Sequence, residues 1–318
     1  MDLKDKTLKW VQTQGYPLEY YVTDAFRNAG FQTIQGFYVD GDKGGEPREI
    51  DVLAHVDLPV GKETVIRIES LVECKWSKDK PWVVFYGKRQ PWASARITQQ
   101  FASKAGQAML WVNAGNKKIQ GLDLFSVLEK SGFGGRQVVF KKEDSEDNKD
   151  LFYKIVSAVT IKSVKLRDFY NKAENFIKNE FPFVAIVFPV IVIDGPLFAM
   201  HCDDSGELAL NQVQYAKLHW SGSSSWTGHA AIEIVTKEYA NEFARNRCDQ
   251  FVKLAKALRP AFFNLKDCWE KKSLEGLRTK SGSTGLLGMP ELLRDIEMRR
   301  LKANAARLKV KNNASDAH

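Results

Sequence analysis

Two short stretches of the chain alternate side chains with a period of two. Glu49-Ile50-Asp51-Val52-Leu53-Ala54 and Ser70-Leu71-Val72-Glu73-Cys74-Lys75-Trp76 therefore read as half-buried strands. In the second, Glu73 and Lys75 share one face, while Val72, Cys74 and Trp76 share the other. Upstream the period changes. Leu18, Tyr21, Val22, Ala25, Phe26 and Ala29 form a helical stripe, opened by Pro17 and closed by Gly30. Glu19 falls in the first turn of that helix, where it can lean over the end of a sheet. Residues 33–39 predict a strand, and the Gly-rich polar run 40–47 predicts a hairpin turn into the strand with Asp51. Pro59 and Gly61 mark the next turn, and residues 65–76 then deliver Glu73 and Lys75.

Similar patterns mark the rest of the chain. Residues 4–14 predict a short helix packing through Leu8, Trp10 and Val11. A helix over 95–110 and a strand over 136–141 extend the alternation of types, followed by a charged linker over 143–150. A long helix is expected over 148–178, with a break near Thr160. Residues 181–193 are almost wholly apolar but too short to span a bilayer. Pro189 divides them into expected strands at 183–188 and 190–194, and Asp194-Gly195-Pro196 supplies a turn. Partial strand over 207–220, a polar surface loop over 221–228, a strand over 230–235 and a helix over 237–258 follow. Residues 276–288 are rich in Gly, Ser and Thr. Residues 290–310 predict a basic helix whose Leu292, Leu293, Ile296, Leu301 and Leu308 give it one apolar face, and the last seven residues read as disordered. The expected fold class is α/β, a central mixed sheet flanked by helices, with additional strands and a C-terminal helical region. The expected divisions are 1–145, 146–260 and 261–318.

Two acids and a lysine on adjacent strands suit a hard divalent metal and an activated water, and that chemistry suits phosphodiester hydrolysis. The same three residues also read as an ordinary cross-strand ion pair at a sheet edge, worth under about 1 kcal/mol. Glu49 alternates with Asp51 and is a substitute ligand. Glu69 shares the face of Glu73 and reads as a surface charge.

The order of a helix with Glu19, a strand with Asp51 in Arg48-Glu49-Ile50-Asp51, and a strand with Glu73-Cys74-Lys75 resembles the PD-(D/E)xK, or restriction endonuclease-like, nuclease superfamily. The resemblance covers residues 15–115, about a third of the chain. Ile50 stands where the pattern expects proline. The resemblance implies a restriction endonuclease-like core over 1–145. It implies that Asp51 and Glu73 hold one Mg²⁺, for which Mn²⁺ can substitute, with the backbone carbonyl of Cys74 completing part of the shell. Lys75 would orient the attacking water and stabilise charge on the phosphate. Glu19 would hold a second metal or a metal-bound water. It further implies a DNA nuclease, in a setting of restriction, repair or anti-phage defence, acting as a homodimer or with a partner protein of a defence system. The competing function is a catalytically inactive protein of this fold that binds nucleic acid or protein.

Further candidates for nucleic-acid contact are Lys78, Lys80, Lys88 and Arg89, interleaved with Trp82, Tyr86 and Trp92, together with Gln100 and Gln107 on the following helix. Their alternatives are a solvated loop with aromatics packed on the core and an exposed helix face. The net charge of +8 favours polyanionic partners. Cys74, Cys202, Cys248 and Cys268 have no CxxC spacing, which argues against zinc and a disulfide framework. The N-terminus has no apolar signal stretch, so a cytoplasmic protein is expected. The five histidines share no ligand spacing, and neither a phosphate-binding GxxxxGK[ST] loop nor a Gly-x-Ser-x-Gly elbow occurs.

Overall fold

The computed structural model describes residues 2–41, 45–61, 64–77, 80–87, 101–126, 131–138, 151–173, 181–202, 205–220, 230–277 and 288–315. Helices α1 (Leu3–Gln12) and α2 (Tyr16–Asn28) lead into an antiparallel meander of β1 (Gln32–Val39), β2 (Arg48–Pro59) and β3 (Val65–Trp76). Strand β6 (Val184–Asp194) lies parallel to β3. β10 (Ala230–Thr236) lies parallel to β6, and β9 (Tyr215–Trp220) closes the sheet antiparallel to β10. The result is one mixed sheet in the order β1-β2-β3-β6-β10-β9. A second sheet of four strands has the order β5-β4-β7-β8, formed by β4 (Trp82–Tyr86), β5 (Gly134–Gln137), β7 (Leu197–Cys202) and β8 (Leu208–Val213). The remaining helices are α3 (Lys104–Val112), the short α4 (Lys117–Gln120) and α5 (Asp123–Ser126), α6 (Leu151–Ala173), α7 (Ala240–Lys271) and α8 (Glu291–Ser315). The fold class is therefore α/β, with mixed sheets flanked by helices and a C-terminal helix. No helix among the described residues is long and apolar enough to cross a membrane.

Strand β6 shows why the sheet sits where it does. Its even-numbered residues Val184, Ile186, Phe188, Val190 and Val192 join one core, and its odd-numbered Ala185, Val187, Ile191 and Ile193 join the other. A strand buried on both faces needs apolar residues throughout, which is what its sequence supplies. On the even face lie α2, α3, α7 and α8, through residues such as Phe26, Met109, Phe251 and Ile296. On the odd face lie α6 and the second sheet, through Phe152, Val156, Trp82 and Leu197. α3 is fixed by its cap. Ser103 Oγ accepts from Gly106 N and Ala185 N and donates to Phe183 O. A Cβ at Gly106 would come within 2.5 Å of the Ala185 carbonyl oxygen, so glycine permits this close approach.

Several expectations are corrected. Residues 183–194 do not form two strands: β6 runs through Pro189, which pairs with Leu71 one residue before the ladder to β10 begins. On that side no strand yet requires a donor at this position, so the missing N–H forfeits no bond there. α6 is unbroken at Thr160, whose hydroxyl donates to the Val156 carbonyl within the helix. α7 continues past residue 258 to Lys271 and includes Pro260, which is exposed, so the carbonyl it frees faces water. Leu8 and Trp10 of α1 are exposed and do not pack. The helix expected over 95–110 begins at Lys104, and residues 101–103 are not α-helical; residues 95–100, the 143–150 linker and the 221–228 loop lie outside the described residues.

A buried ion cluster ties β9 and β10 to α7 and α5. Arg247 Nε donates to Glu233 Oε2 at 2.8 Å, while its two terminal nitrogens reach Asp123 Oδ2 at 3.1 Å and the Tyr215 hydroxyl at 3.0 Å. Tyr215 in turn donates to Glu233 Oε1 at 2.6 Å. Beside it, Lys217 donates to the Asp123 carbonyl at 3.1 Å, and burial lowers its pKa to about 8.

The C-terminal helix α8 docks on its own chain. Leu292, Leu293 and Ile296 are buried, Lys104 Nζ pairs with Glu291 at 3.0 Å, and the Arg299 guanidinium lies 3.7 Å over the Trp269 ring. Leu301 is exposed, so the apolar face is shorter than its sequence suggests.

Candidate active site

β3 is the third of six strands, so Glu73 and Lys75 do not lie at a sheet edge. The β2–β3 ladder ends at Val52 and Val72, one residue short of Asp51 and of Glu73. Asp51 Oδ2 accepts from the backbone N–H of Cys74 at 2.7 Å, tying the acid of β2 to the Glu-x-Lys segment of β3. Opposite Asp51 on the other flank sits Gly36, with φ at +65°, a left-handed value that favours glycine. The alternation of β2 slips here: Ile50 and Leu53 enter one core and Val52 the other.

Glu73 is held twice. Oε1 pairs with Lys75 Nζ at 2.7 Å, and Oε2 accepts from Lys162 Nζ of α6. The side chains of Glu73 and Lys162 are 5% and 10% exposed, whereas that of Lys75 is 35% exposed. Lys75 is thus the cation of this group with access to solvent. Burial alone would lower its pKa, but the carboxylates of Glu73 and Asp51 raise it above the ordinary lysine value. Asp51 moves in the unfavourable direction for an acid. Burial first, then the negative charge of Glu73, push its pKa up to about 6, against the opposing pull of Lys75, the Cys74 N–H and Lys162.

Glu19 approaches from α2. Gln35 Nε2 lies 3.5 Å from its Oε2. Its pKa is raised, chiefly by burial and also by the charges of Glu49 and Glu73, while Gln35 and Lys75 oppose the shift. Three of the acids expected from the sequence, Glu19, Asp51 and Glu73, therefore meet electrostatically around Lys75. Glu49 is exposed.

Lys162 was missed in the sequence. It lies on one helical stripe with Ile155, Val159 and Leu166, and a lysine in such a stripe was the readable signal. Glu69 is corrected: it is fully buried and not a surface charge. Tyr170 of α6 donates to its Oε2 at 2.9 Å, and burial pushes its pKa up to about 7. Its neighbour Arg67 forms a two-point ion pair with Asp57 at 2.8 and 2.7 Å.

Of the expected nucleic-acid contacts, Lys78, Lys88, Arg89 and Gln100, with Trp92, lie outside the described residues. Lys80 is described, and its backbone N–H bonds Ser77 O. Gln107 uses its amide to donate to the Ala102 carbonyl at 3.0 Å. Trp82 is fully buried against Phe152, so that aromatic belongs to the core.

Asp51 and Glu73 provide hard oxygen donors of the kind Mg²⁺ takes, and their mutual repulsion is the electrostatic condition a divalent cation relieves. Among the described residues no group of three His, Cys, Asp or Glu side chains is arranged as a ready-made metal cage. Two carboxylates are a donor set that Mg²⁺, which keeps most of its waters, accepts. Comparison of the chain with protein-family models, with characterised proteins and with solved structures finds no match.

Proposed function

We propose that this protein is a metal-dependent nuclease hydrolysing phosphodiester bonds, with DNA as its substrate. The observation that carries the reading is the junction of Asp51, Glu73 and Lys75: a half-buried and a buried carboxylate on adjacent strands, the first with its pKa pushed up by burial and then by the charge of the second, beside a partly exposed lysine. The order of α2 with Glu19, then the meander with Asp51 and the Glu-x-Lys strand, supports a restriction endonuclease-like core.

In this reading Asp51 and Glu73 hold Mg²⁺ or Mn²⁺, with the Cys74 carbonyl as a further donor and Glu19 in an auxiliary position. The bound cation supplies Lewis acidity and neutralises phosphate charge. The chain's own groups do the rest. The Cys74 N–H fixes the Asp51 carboxylate. Lys162 fixes Glu73. Lys75, the partly exposed cation, donates to a non-bridging phosphate oxygen, where negative charge grows as the bond breaks. The net charge of +8 assists the approach of a polyanion.

A second reading, a non-catalytic nucleic-acid or protein-binding module of the same fold, is favoured by one observation: both oxygens of Glu73 are already engaged by lysines. Incubation with plasmid and Mg²⁺ or Mn²⁺, with EDTA as control, separates the two. Metal-dependent degradation, lost in Asp51→Ala and Glu73→Ala together with metal binding, is expected. Intact plasmid under every metal condition would leave the binding module.

A further inference from the structure

Lys162 stands apart from the other cation at this site. Its ammonium reaches Glu73 from a helix 89 residues away in sequence, on the odd-numbered face of β3. Lys75 also pairs with Glu73, but its side chain is more than three times as exposed as that of Lys162. Two cations therefore serve one carboxylate, and they differ in freedom. The same stripe of α6 places Ile155, Val159 and Leu166 in the core, so the backbone carrying Lys162 is anchored.

We propose that Lys162 is a built-in counter-cation of Glu73, a positioning residue that occupies the electrostatic place of the divalent metal and must be displaced from Glu73 for the metal to load. This rests on the nuclease reading and deepens it by assigning the two lysines different tasks. Lys75 is the cation able to turn toward substrate. Lys162 holds Glu73 in a compact, neutralised arrangement until metal arrives. A buried carboxylate without a partner is costly, so a metal-free site of clustered acids needs such a stand-in. By the same argument, the stand-in weakens metal binding, because the incoming divalent cation meets an ammonium charge close to its ligand.

The test is Mn²⁺ affinity measured by calorimetry at pH 8 on the full chain, with thermal unfolding measured in EDTA and in excess Mn²⁺. Lys162→Met keeps the apolar stem and removes the charge. It is expected to bind Mn²⁺ at least about tenfold more tightly than the wild type. It should also melt at lower temperature in EDTA, and recover most of that loss in excess Mn²⁺. Lys162→Arg keeps the charge and should bind Mn²⁺ no more tightly than the wild type, which controls for altered packing. Unchanged or weaker Mn²⁺ binding by Lys162→Met, with wild-type binding intact, would overturn the counter-cation role and leave the nuclease reading standing. Absence of Mn²⁺ binding by the wild type would overturn both.

Discussion

Two buried ion clusters in this protein are built on opposite principles. In the cluster around Arg247, a planar guanidinium serves Glu233, Tyr215 and Asp123 at once, and Glu233 accepts through both oxygens. One rigid donor fork meets matched acceptors, the arrangement in which burial of charge is best compensated. At the candidate site the cations are lysines on flexible stems, and acids are in excess. Asp51 has its pKa pushed up to about 6 by burial and by Glu73. The first cluster matches its acids with donors, and the second leaves its acids in excess of its cations.

The largest effect that would sharpen this contrast is expected at Arg247. Arg247→Ala leaves Glu233 buried without its fork and should cost about 3–5 kcal/mol in chemical denaturation. A loss under about 1 kcal/mol would mean that the Arg247 cluster is not the lock its geometry describes. Next in size is Lys75→Ala. In the proposed nuclease its partly exposed ammonium faces substrate, so cleavage should fall about 10²–10³-fold while folding and most DNA affinity persist. An unchanged single-turnover rate would remove Lys75 from the chemistry.

A smaller effect is expected at Asp51, and its sign follows from the raised pKa. Between the ordinary aspartate value and about 6, the folded state binds more protons than the unfolded state, so the contribution of this residue to stability falls as pH rises through that window. Above it, the ionised carboxylate is a standing cost on the order of 3 kcal/mol. Asp51→Asn should therefore raise the melting temperature at pH 8 in EDTA and give little gain at pH 4. A variant less stable than the wild type at pH 8 would show that the excess of acids is not under strain. The smallest effect is reserved for α8. Arg294 and Lys302 are exposed there, away from Leu292, Leu293 and Ile296, which hold the helix in the core. Changing both to Gln should leave the melting temperature alone and lower the salt slope of DNA binding by about 0.9 for each phosphate no longer neutralised. An unaltered slope would assign these charges to plain solvation.

What could be read from the sequence depended on the range of the interaction. The shared face of Glu73 and Lys75 is a local property of a strand, and the Asp51 hairpin needs only a short turn, so both were legible. Alternation also put Glu69 on the face of Glu73, but it could not say what covers that face; α6 does, and Tyr170 takes the carboxyl out of solvent. Lys162 was hidden for the same reason. Pro189 reads as a break in the sequence because the penalty for a proline depends on which neighbour needs its N–H, and that is set by tertiary structure. The exposure of Leu8 and Trp10 shows the reverse case, in which an apolar pattern finds no surface to bury against.

The distance in sequence between Glu73 and Lys162 has a consequence for synthesis. β3 pairs with β6 more than a hundred residues later, and α6, with Lys162, is made between them. Such pairing has high contact order and forms slowly. While the chain emerges from the ribosome, the Asp51 hairpin and the Glu73 strand are exposed before the helix that neutralises them exists. The acids are then hydrated and their strands lack a β6 edge to complete the sheet. The Glu73–Lys162 pair can therefore form only after the chain has been made through α6, and the sheet around it only after β6 follows.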